Sequence, residues 1–170
     1  MFEFTESVHI QASTDQVWSL LQNVERWWPP SNPEHIGIEV RSSNNSIGVG
    51  TEIVFEERVA GIKAKAEGEI KRFVPKTEAA WEGTAKYRYF GVSLVVDEGV
   101  TWQLADSNGG AVLSAHVWAK FPQSLFGRAL EWYAKAILNI VKRDRAHARC
   151  ELEYLKRTIE SDGLELKQNG

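Results

Sequence analysis

The stretch VHIQASTDQVWSLLQNVERWWP, residues 8–29, decides the fold of this chain. Its first residues alternate apolar and polar side chains, as a half-buried strand does. Ser13 and Gln16 then have the Ser-x-x-Gln spacing of a capping box, which predicts the start of a helix. Apolar residues at helical spacing predict two short helices, the second ending at Pro29 and Pro30. We therefore expect a strand followed by two small helices that support a sheet.

The middle of the chain, from Ile36 to about Phe121, alternates apolar and polar residues with a period of two. This pattern is typical of antiparallel sheet with one solvated face. The turn signals that divide it fall at residues 42–50, 60–61, 75–76 and 106–110. They predict about six strands in addition to the first, connected by short turns as a meander.

A long amphipathic helix closes the chain. It is predicted to begin near Ser124 and to end near Ser161, before Asp162 and Gly163. A straight helix of that length would be about 55 Å long, more than the width of about 40 Å expected of a compact domain. We therefore expect a kink or break near Gly127. The order of elements predicts an α+β fold in which a curved sheet grips a C-terminal helix, with a cavity between them.

The composition fits one globular domain, expected over residues 1–161, with a C-terminal tail over residues 162–170. The chain has 170 residues, of which 43% are hydrophobic and 25% charged, and its net charge is -3. This charge argues against nucleic acid as a partner. The lone Cys150 and an N-terminus without signal-peptide features favour a cytoplasmic protein. No apolar run reaches the roughly 20 residues needed to span a bilayer, and the sequence does not indicate an oligomeric state.

Several segments together resemble a known superfamily. They are residues 8–29, GVGT at 48–51, EGEIKRFVPKTEAAWEG at 67–83, VTWQLADSNGGAVLSA at 100–115, and the closing helix. They resemble the polyketide cyclase/dehydrase and lipid transport superfamily, also named START-like, SRPBCC or helix-grip proteins. The resemblance implies a seven-stranded antiparallel curved sheet wrapped around a long C-terminal helix, two short helices after the first strand, and a deep apolar cavity. Its members include cyclases, dehydratases, lipid and quinone carriers, hormone receptors and chaperone activators, so no catalytic residue is implied.

Small residues on an inward phase are a first sign of a cavity. Ala64, Ala66 and Gly68 occupy positions where a filled core would ordinarily have Leu, Ile or Val. The alternative is a strongly bent strand in which Gly68 relieves crowding.

The aromatic segment TAKYRYFGV, residues 84–92, lacks clean alternation and is interpreted as a loop over the cavity opening. Tyr87, Tyr89 and Phe90 would then close on an apolar ligand, with a phenol positioning its polar end. The alternative is a longer hairpin. Together with Trp27 and Trp28, the loop would form a rim that touches a membrane surface or a donor protein transiently.

Polar residues at apolar positions are the candidates for chemistry. Asp144 and Glu151 lie near the centre of the helix stripe with His147 one turn from each, a trio suited to general acid and base catalysis if the cavity reaches it. The alternatives are that nearby arginines pair with the carboxylates, or that this part of the helix extends into water. Glu6 and Glu98 also occupy inward phases, at the cavity mouth or at strand ends, and a bulge would turn Glu98 outward.

The predicted ligand-binding residues combine these groups: Trp28, Ala64, Ala66, Trp81, Tyr87, Tyr89, Phe90, Glu98, Trp102, Tyr133, Ile137 and Asp144. No catalytic residue is assigned. The four histidines are dispersed, and neither His-x-x-x-His nor Cys-x-x-Cys occurs, so no metal site is expected. The sequence has no Gly-x-Gly-x-x-Gly fingerprint and no Gly-x-Ser-x-Gly elbow, so no cofactor and no serine hydrolysis are expected.

Three functions remain open from the sequence. The first is binding or transport of a hydrophobic small molecule, such as a lipid, a quinone or a polyketide-like aromatic, which needs only apolar walls. The second is an enzyme of the polyketide cyclase or dehydratase type that uses polar pocket residues for acid and base chemistry. The third is a protein-interaction module of the chaperone-activator type. The sequence does not decide whether the protein is an enzyme.

Overall fold

A computed structural model describes residues 1–42, 47–59, 61–89, 92–136 and 139–168 of the chain. Its elements follow in the order β1 (Phe2–Ile10), α1 (Thr14–Leu21), α2 (Val24–Ser31), β2 (His35–Arg41), β3 (Glu52–Val59), β4 (Ile62–Val74), β5 (Glu78–Tyr89), β6 (Val92–Ser107), β7 (Gly110–Lys120), α3 (Leu125–Ala136) and α4 (Ile140–Gln168).

The strands form one antiparallel sheet, which confirms the predicted α+β architecture. Its 7 strands lie in the order β1-β7-β6-β5-β4-β3-β2. From β2 to β7 each strand pairs with the next one, as a meander does, and β1 pairs with β7, with Phe2 opposite Ala119. Helix α4 packs against β1 and β7 and also contacts α1 and α2. The inner face of the sheet is therefore the face covered by these helices.

The first helix has the predicted cap, and the second ends later than predicted. The Ser13 hydroxyl accepts a hydrogen bond from the Gln16 amide at 3.3 Å, and the Gln16 side chain accepts one from the Ser13 amide at 3.0 Å. Helix α2, however, includes Pro29 and Pro30 and ends at Ser31. Because both prolines lie in its last turn, they remove hydrogen bonds there without interrupting a longer helix.

Helix α3 continues through Gly127 to Ala136, and α4 begins at Ile140, so the prediction of a break near Gly127 was wrong. Asn139 has a left-handed backbone with φ 51, which asparagine adopts more readily than most residues. Its carbonyl accepts hydrogen bonds from the amides of Lys142 and Arg143 at 3.1 and 3.2 Å. Asn139 thus caps the start of α4.

Gly127 lies inside α3 and has a packing role instead. A Cβ atom there would lie 2.1 Å from the Pro122 carbonyl oxygen. At the other end, α4 continues to Gln168, past the stop that was predicted at Asp162 and Gly163. No helix in the described part of the chain is long and apolar enough to cross a membrane.

Residues 84–89 belong to β5 and Val92 begins β6, so the interpretation of the segment 84–92 as a loop was wrong for its described residues. Strands β5 and β6 pair in continuous register from Glu78 opposite Gln103 to Tyr89 opposite Val92. Aromatic residues favour strands even where apolar and polar positions do not alternate cleanly.

Two glycines allow β4 and β5 to approach closely. Gly68 lies opposite Gly83, and a Cβ atom on Gly68 would lie 2.5 Å from the Gly83 Cα atom and 2.2 Å from the Glu82 carbonyl oxygen. The register of the two strands shifts just beyond, between Ile70 and Arg72. This contact supports the bent-strand interpretation of Gly68.

Gly68→Ala should lower the free energy of unfolding by about 1–3 kcal/mol, because the added methyl group overlaps backbone atoms of the neighbouring strand. Gly37→Ala in β2 is the matched control, since no atom lies within 4 Å of its Cβ position. The control should change the free energy of unfolding by less than about 1 kcal/mol. Urea unfolding measures both effects, and equal midpoints for Gly68→Ala and wild type would contradict the close approach.

Candidate functional site

The inner face of the sheet carries polar side chains among its buried apolar ones. The set is named here the inner polar cluster, and its members are His35, Glu57, Tyr87, Glu98, Asp144, His147 and Glu151. The first four come from β2, β3, β5 and β6, and the last three come from α4.

Helical spacing brings the three α4 members to the sheet. Asp144, His147 and Glu151 are three and four residues apart, so they share one helix face. Ala148 and Leu152 on the same side are buried against the sheet. The side chains of the trio that the sequence identified therefore point toward the inner face.

Strand alternation places the other members. Glu57 follows the buried Phe55 at the second position along β3, so it points inward. Glu98 lies opposite Gly83 on one side and Ala119 on the other, and the register is continuous through both pairings. The bulge that would have turned Glu98 outward is therefore not formed.

Tyr87, Glu98 and Asp144 form one end of the cluster. The Tyr87 hydroxyl donates a hydrogen bond to Glu98 Oε2 at 3.1 Å. Burial, with the charge of Glu57 added, raises the pKa of Glu98 to about 8 and the pKa of Asp144 to about 7. Burial also raises the pKa of the Tyr87 phenol well above its ordinary value. At neutral pH this end holds a neutral phenol, a protonated carboxyl and a carboxyl near its midpoint of titration.

The other end joins both histidines to two carboxylates. The Nε2 atoms of His35 and His147 are 2.9 Å apart. Glu151 Oε1 lies 3.1 Å from His35 Nε2 and 3.4 Å from His147 Nε2. Glu57 Oε2 lies 3.4 Å from His147 Nε2 and 4.0 Å from His35 Nε2. The ligand atoms of His35, His147 and Glu151 all lie within 4.8 Å of one another, which makes these residues candidates to hold a metal ion.

At this end of the cluster, burial and the neighbouring charges shift the pKa values of His147 and Glu151 in opposite directions. Burial disfavours the charged imidazole of His147, but its hydrogen bond to Glu151 and the charges of Glu151 and Glu57 outweigh that effect and raise its pKa to about 10. Burial favours protonation of Glu151, but its hydrogen bonds to the two histidines outweigh burial and leave its pKa lowered. For Glu57 burial dominates, and its pKa is raised. His147 is therefore positively charged at neutral pH.

Glu6 is inward but belongs to a separate ion pair. Its carboxylate accepts hydrogen bonds from Arg145 at 3.2 Å and from Arg149 at 2.7 and 3.2 Å. The sequence left open that arginines pair with the carboxylates of α4. In the structure, Arg145 and Arg149 of α4 pair with Glu6 of β1. The α4 carboxylate Glu151 pairs with histidines instead.

The predicted aromatic and small residues lie in the wall of the sheet and in α2. Those that are fully buried are Trp28, Ala64, Ala66, Trp81 and Trp102. The Trp28 ring stacks on His35, with ring centroids 3.5 Å apart and an interplanar angle of 10°. The Trp81 indole packs edge-on against Phe55, and its Nε1–H is buried without a hydrogen-bond partner among the described residues. Buried donors ordinarily have an acceptor, so this N–H is a candidate to bind an oxygen atom of a ligand.

Other predicted site residues are not brought into the cluster by the described structure. Tyr133 lies on α3 and is exposed. Tyr89 is described only as the backbone end of β5. Phe90 and Ile137 lie outside the described residues.

Two concavities lie away from the inner polar cluster. A small apolar cavity beneath α1 and α2 has a free volume of about 20 Å³, room for about one water molecule. A charged groove of about 680 Å³ lies on the outer face, where Glu67, Glu82, Asp97, Trp118 and Lys120 are among its lining residues. Its position on the opposite face separates it from the cluster.

Sequence reasoning missed two members of the cluster, His35 and Glu57. The signal for Glu57 was present, because it shares the inward phase of Ile53 and Phe55 in β3. His35 is harder to find. It is the first residue of β2, and the register of β2 with β3 shifts between His35 and Gly37.

The sequence matches the family of polyketide cyclase / dehydrase and lipid transport proteins over residues 1–160. The chain belongs to this family. Membership accounts for the seven-stranded sheet, the paired short helices and the C-terminal helix, and confirms the resemblance seen in the sequence.

Solved structures show the same fold at low identity. TTHA0849 from Thermus thermophilus is 15% identical, with a TM-score of 0.71 over 95% of this chain and 99% of that one. Protein MLL2253 from Mesorhizobium loti is 12% identical, with a TM-score of 0.61 over 94% and 98%. StfQ, a di-domain ARO/CYC from the steffimycin biosynthetic pathway, is 13% identical, with a TM-score of 0.66 over 95% of this chain and 52% of that one. No curated protein matches the sequence.

The stability of this family member should fall between pH 5 and pH 8. The pKa of Glu98 rises from an ordinary 4.5 to about 8 on folding, so in this range the folded state keeps a proton that the unfolded state releases, and rising pH favours unfolding. Glu98→Gln should reduce that fall by up to about 1.4 kcal/mol per pH unit. Urea unfolding at several pH values measures the slope.

Glu67→Gln is the control for this slope. Glu67 is exposed, and Lys65 holds the pKa of its carboxyl below the usual range, so it titrates below the pH window. Its substitution should leave the slope unchanged. If Glu98→Gln also had the wild-type slope, the protonated state of Glu98 would be contradicted.

Proposed function

We propose that this protein binds a small organic molecule with an apolar body and a carbonyl or hydroxyl group between its sheet and α4. The observation that carries the proposal is the Tyr87–Glu98 hydrogen bond on the inner face of the sheet. The partly or fully buried apolar residues around this pair are Leu94, Val96, Val100 and Val117. An apolar wall with a few placed polar groups is the usual composition of a small-molecule site.

The polar pair is suited to an oxygen atom of a ligand. The Tyr87 hydroxyl donates to Oε2 of Glu98, so the proton of a neutral Glu98 is available on its other oxygen. A carboxylic acid that remains protonated at neutral pH donates a hydrogen bond to a carbonyl or hydroxyl. The Trp81 Nε1–H, which has no partner in the described part of the chain, supplies a further donor from the same face.

The comparisons support the chemical class but not one compound. The family description joins polyketide cyclases and dehydrases with lipid transport. StfQ belongs to the steffimycin pathway, and its fold is shared at 13% identity. A polycyclic aromatic of the polyketide type, a quinone or a lipid each has an apolar body and an oxygen substituent. Our proposal includes the sequence-based expectation that the protein acts in the cytoplasm.

A matched pair of probes tests the binding proposal. Fluorenone and fluorene have the same ring skeleton, and only fluorenone has a carbonyl oxygen. Wild-type protein should bind fluorenone more tightly in equilibrium dialysis. Because Tyr87 orients the Glu98 carboxyl that donates to the carbonyl oxygen, Tyr87→Phe should weaken fluorenone binding by about three- to tenfold and leave fluorene binding unchanged.

Tyr154→Phe is the control, because Tyr154 is a partly buried tyrosine of α4 outside the cluster. It should bind both probes as wild type does. The binding proposal is wrong if neither probe binds and native mass spectrometry of the purified protein finds no small molecule bound to the folded chain.

A second candidate is an enzyme that removes water from a β-hydroxy ketone, as in a cyclisation or dehydration reaction. The observation that favours it is the pair of carboxyls with pKa values near 7 and 8. An ionised Asp144 would take the proton from the carbon beside the ketone. Glu98 would donate a proton to the departing hydroxyl, so that a carbon–carbon double bond and water are formed.

The enzyme candidate makes a separate prediction. With a polycyclic β-hydroxy ketone as substrate, Asp144→Asn should lower the rate of dehydration by at least about 100-fold, the usual contribution of a positioned base. Binding of fluorenone by the variant should stay within about threefold of wild type, since an amide keeps the shape of the side chain. Absorbance of the conjugated product follows the rate. Equal rates for wild type and Asp144→Asn would contradict the role of the carboxyl.

A further inference from the structure

The histidine end of the inner polar cluster has a geometry that the proposed ligand binding does not use. Four side chains from three elements meet at one point: His35 of β2, Glu57 of β3, and His147 and Glu151 of α4. His147 and Glu151 are four residues apart and project from one helix face.

The distances between their atoms match those around a bound metal ion. An ion with bonds of about 2.1 Å to four tetrahedral ligands holds those ligands about 3.4 Å from one another. The contacts between histidine nitrogens and carboxylate oxygens here are 3.1, 3.4, 3.4 and 4.0 Å. The two imidazole nitrogens are 2.9 Å apart. The ligand atoms thus surround a position suited to one ion.

Both imidazole rings are oriented by their other nitrogen. His35 Nδ1 donates a hydrogen bond to the Trp28 carbonyl, and the ring is stacked on the Trp28 indole. His147 Nδ1 lies 3.4 Å from Glu34 Oε2. Metal-ligating histidines ordinarily donate their second N–H to a carbonyl or a carboxylate in this way. These contacts fix the tautomer of His35 and direct the two Nε2 atoms toward each other.

The charge at this point is also suited to a divalent cation. Two Nε2 lone pairs repel each other at 2.9 Å unless a proton or a metal ion lies between them. Two carboxylates, those of Glu57 and Glu151, face the same nitrogens. A divalent ion balances both carboxylates, whereas one shared proton balances one. The side chains of Glu57, His147 and Glu151 keep 14–16% of their surface exposed, which leaves a path for an ion.

We propose that His35, Glu57, His147 and Glu151 bind one divalent transition-metal ion through two imidazole nitrogens and two carboxylate oxygens. Imidazole ligands favour zinc, iron and similar ions over magnesium and calcium, which prefer all-oxygen sites. The sequence did not indicate this site because its ligands come from distant parts of the chain. Only the His147–Glu151 pair has helical spacing, and it contains a single histidine.

Metal titration of the chelator-treated full-length protein tests the proposal. Zn²⁺ should bind in calorimetry with a stoichiometry of one ion per chain, and Mg²⁺ should bind at least 100-fold more weakly. Co²⁺ should give the intense visible absorption of a four-coordinate site. His147→Gln and Glu151→Gln should each lower the affinity for Zn²⁺ by at least about 100-fold. Glu34→Gln should lower it by about tenfold, because it loses only the contact that orients His147.

Two variants control for binding elsewhere. His116→Gln removes a histidine on the outer face, where His116 Nε2 lies 3.9 Å from a Glu3 carboxylate oxygen. Cys150→Ser removes the single thiol, which donates to the Ser31 carbonyl. Both should bind Zn²⁺ as wild type does. The variants on α4 avoid the packed His35 ring, and circular dichroism checks that they fold.

The proposal is overturned if wild type binds no Zn²⁺ or Co²⁺. It is also overturned if folded His147→Gln and Glu151→Gln both bind Zn²⁺ with wild-type affinity. Either result would leave a proton as the charge shared by the two histidines. Fluorenone binding to the metal-free protein is measured separately, so failure of the metal site and failure of the ligand site are distinguishable.

Discussion

The orientation of α4 depends on the carboxylate of Glu6. This side chain is buried on β1 and binds both Arg145 and Arg149, which lie four residues apart on one face of the helix. The Arg145 guanidinium also lies over the Phe4 ring, 5.3 Å from its centroid. Because successive residues are about 100° apart around a helix, these contacts set the rotation of α4. With this rotation, the neighbouring face of α4, which holds Asp144, His147 and Glu151, points toward the sheet. Loss of both arginines would leave the buried Glu6 carboxylate without compensation, which is strongly unfavourable.

The inner polar cluster has two ends with different chemistry. Tyr87 and Glu98 lie in an apolar wall, where burial keeps both in their neutral forms. The histidines lie among carboxylates, where the charge of the imidazole of His147 is stabilised. Glu57 contributes to the electrostatics of both ends, since its charge raises the pKa of Glu98 and that of His147. A change in the charge of Glu57, by a proton or by a cation, is therefore felt at both ends.

The parts of the fold that the sequence predicted are those decided by nearby residues. The capping box at Ser13 and the alternation of the strands are local patterns, so the first helix and the sheet were predicted correctly. The start of α4 at Ile140, after the left-handed Asn139, was not predicted, because a single asparagine gives a weaker signal in the sequence than Gly127 does. The end of β5 was misinterpreted as a loop for a different reason. Its aromatic residues conceal the period of two, although they are good strand formers.

The candidate site was predicted only where one element supplies its residues. Helical spacing was enough to identify Asp144, His147 and Glu151, and alternation was enough for Glu98. The contact of His35 with His147 joins the first residue of β2 to a helix more than half the chain away. Such a contact follows from the curvature of the sheet and the rotation of α4, and neither is encoded in a local pattern. The pairing of Glu6 with two arginines is hidden for the same reason.

The pairing of β1 with β7 also constrains how the protein folds. The first strand has no partner until the last one is made, since Phe2 pairs with Ala119 and Ile10 with Ala111. Contacts between residues so distant in the chain require closure of a large loop before they return any stabilisation, and domains rich in them fold slowly. During synthesis β1 emerges early, and its apolar side stays uncovered until β7 and α4 have been made. Over that interval the nascent chain exposes an unpaired strand, the form most open to aggregation and to capture by chaperones.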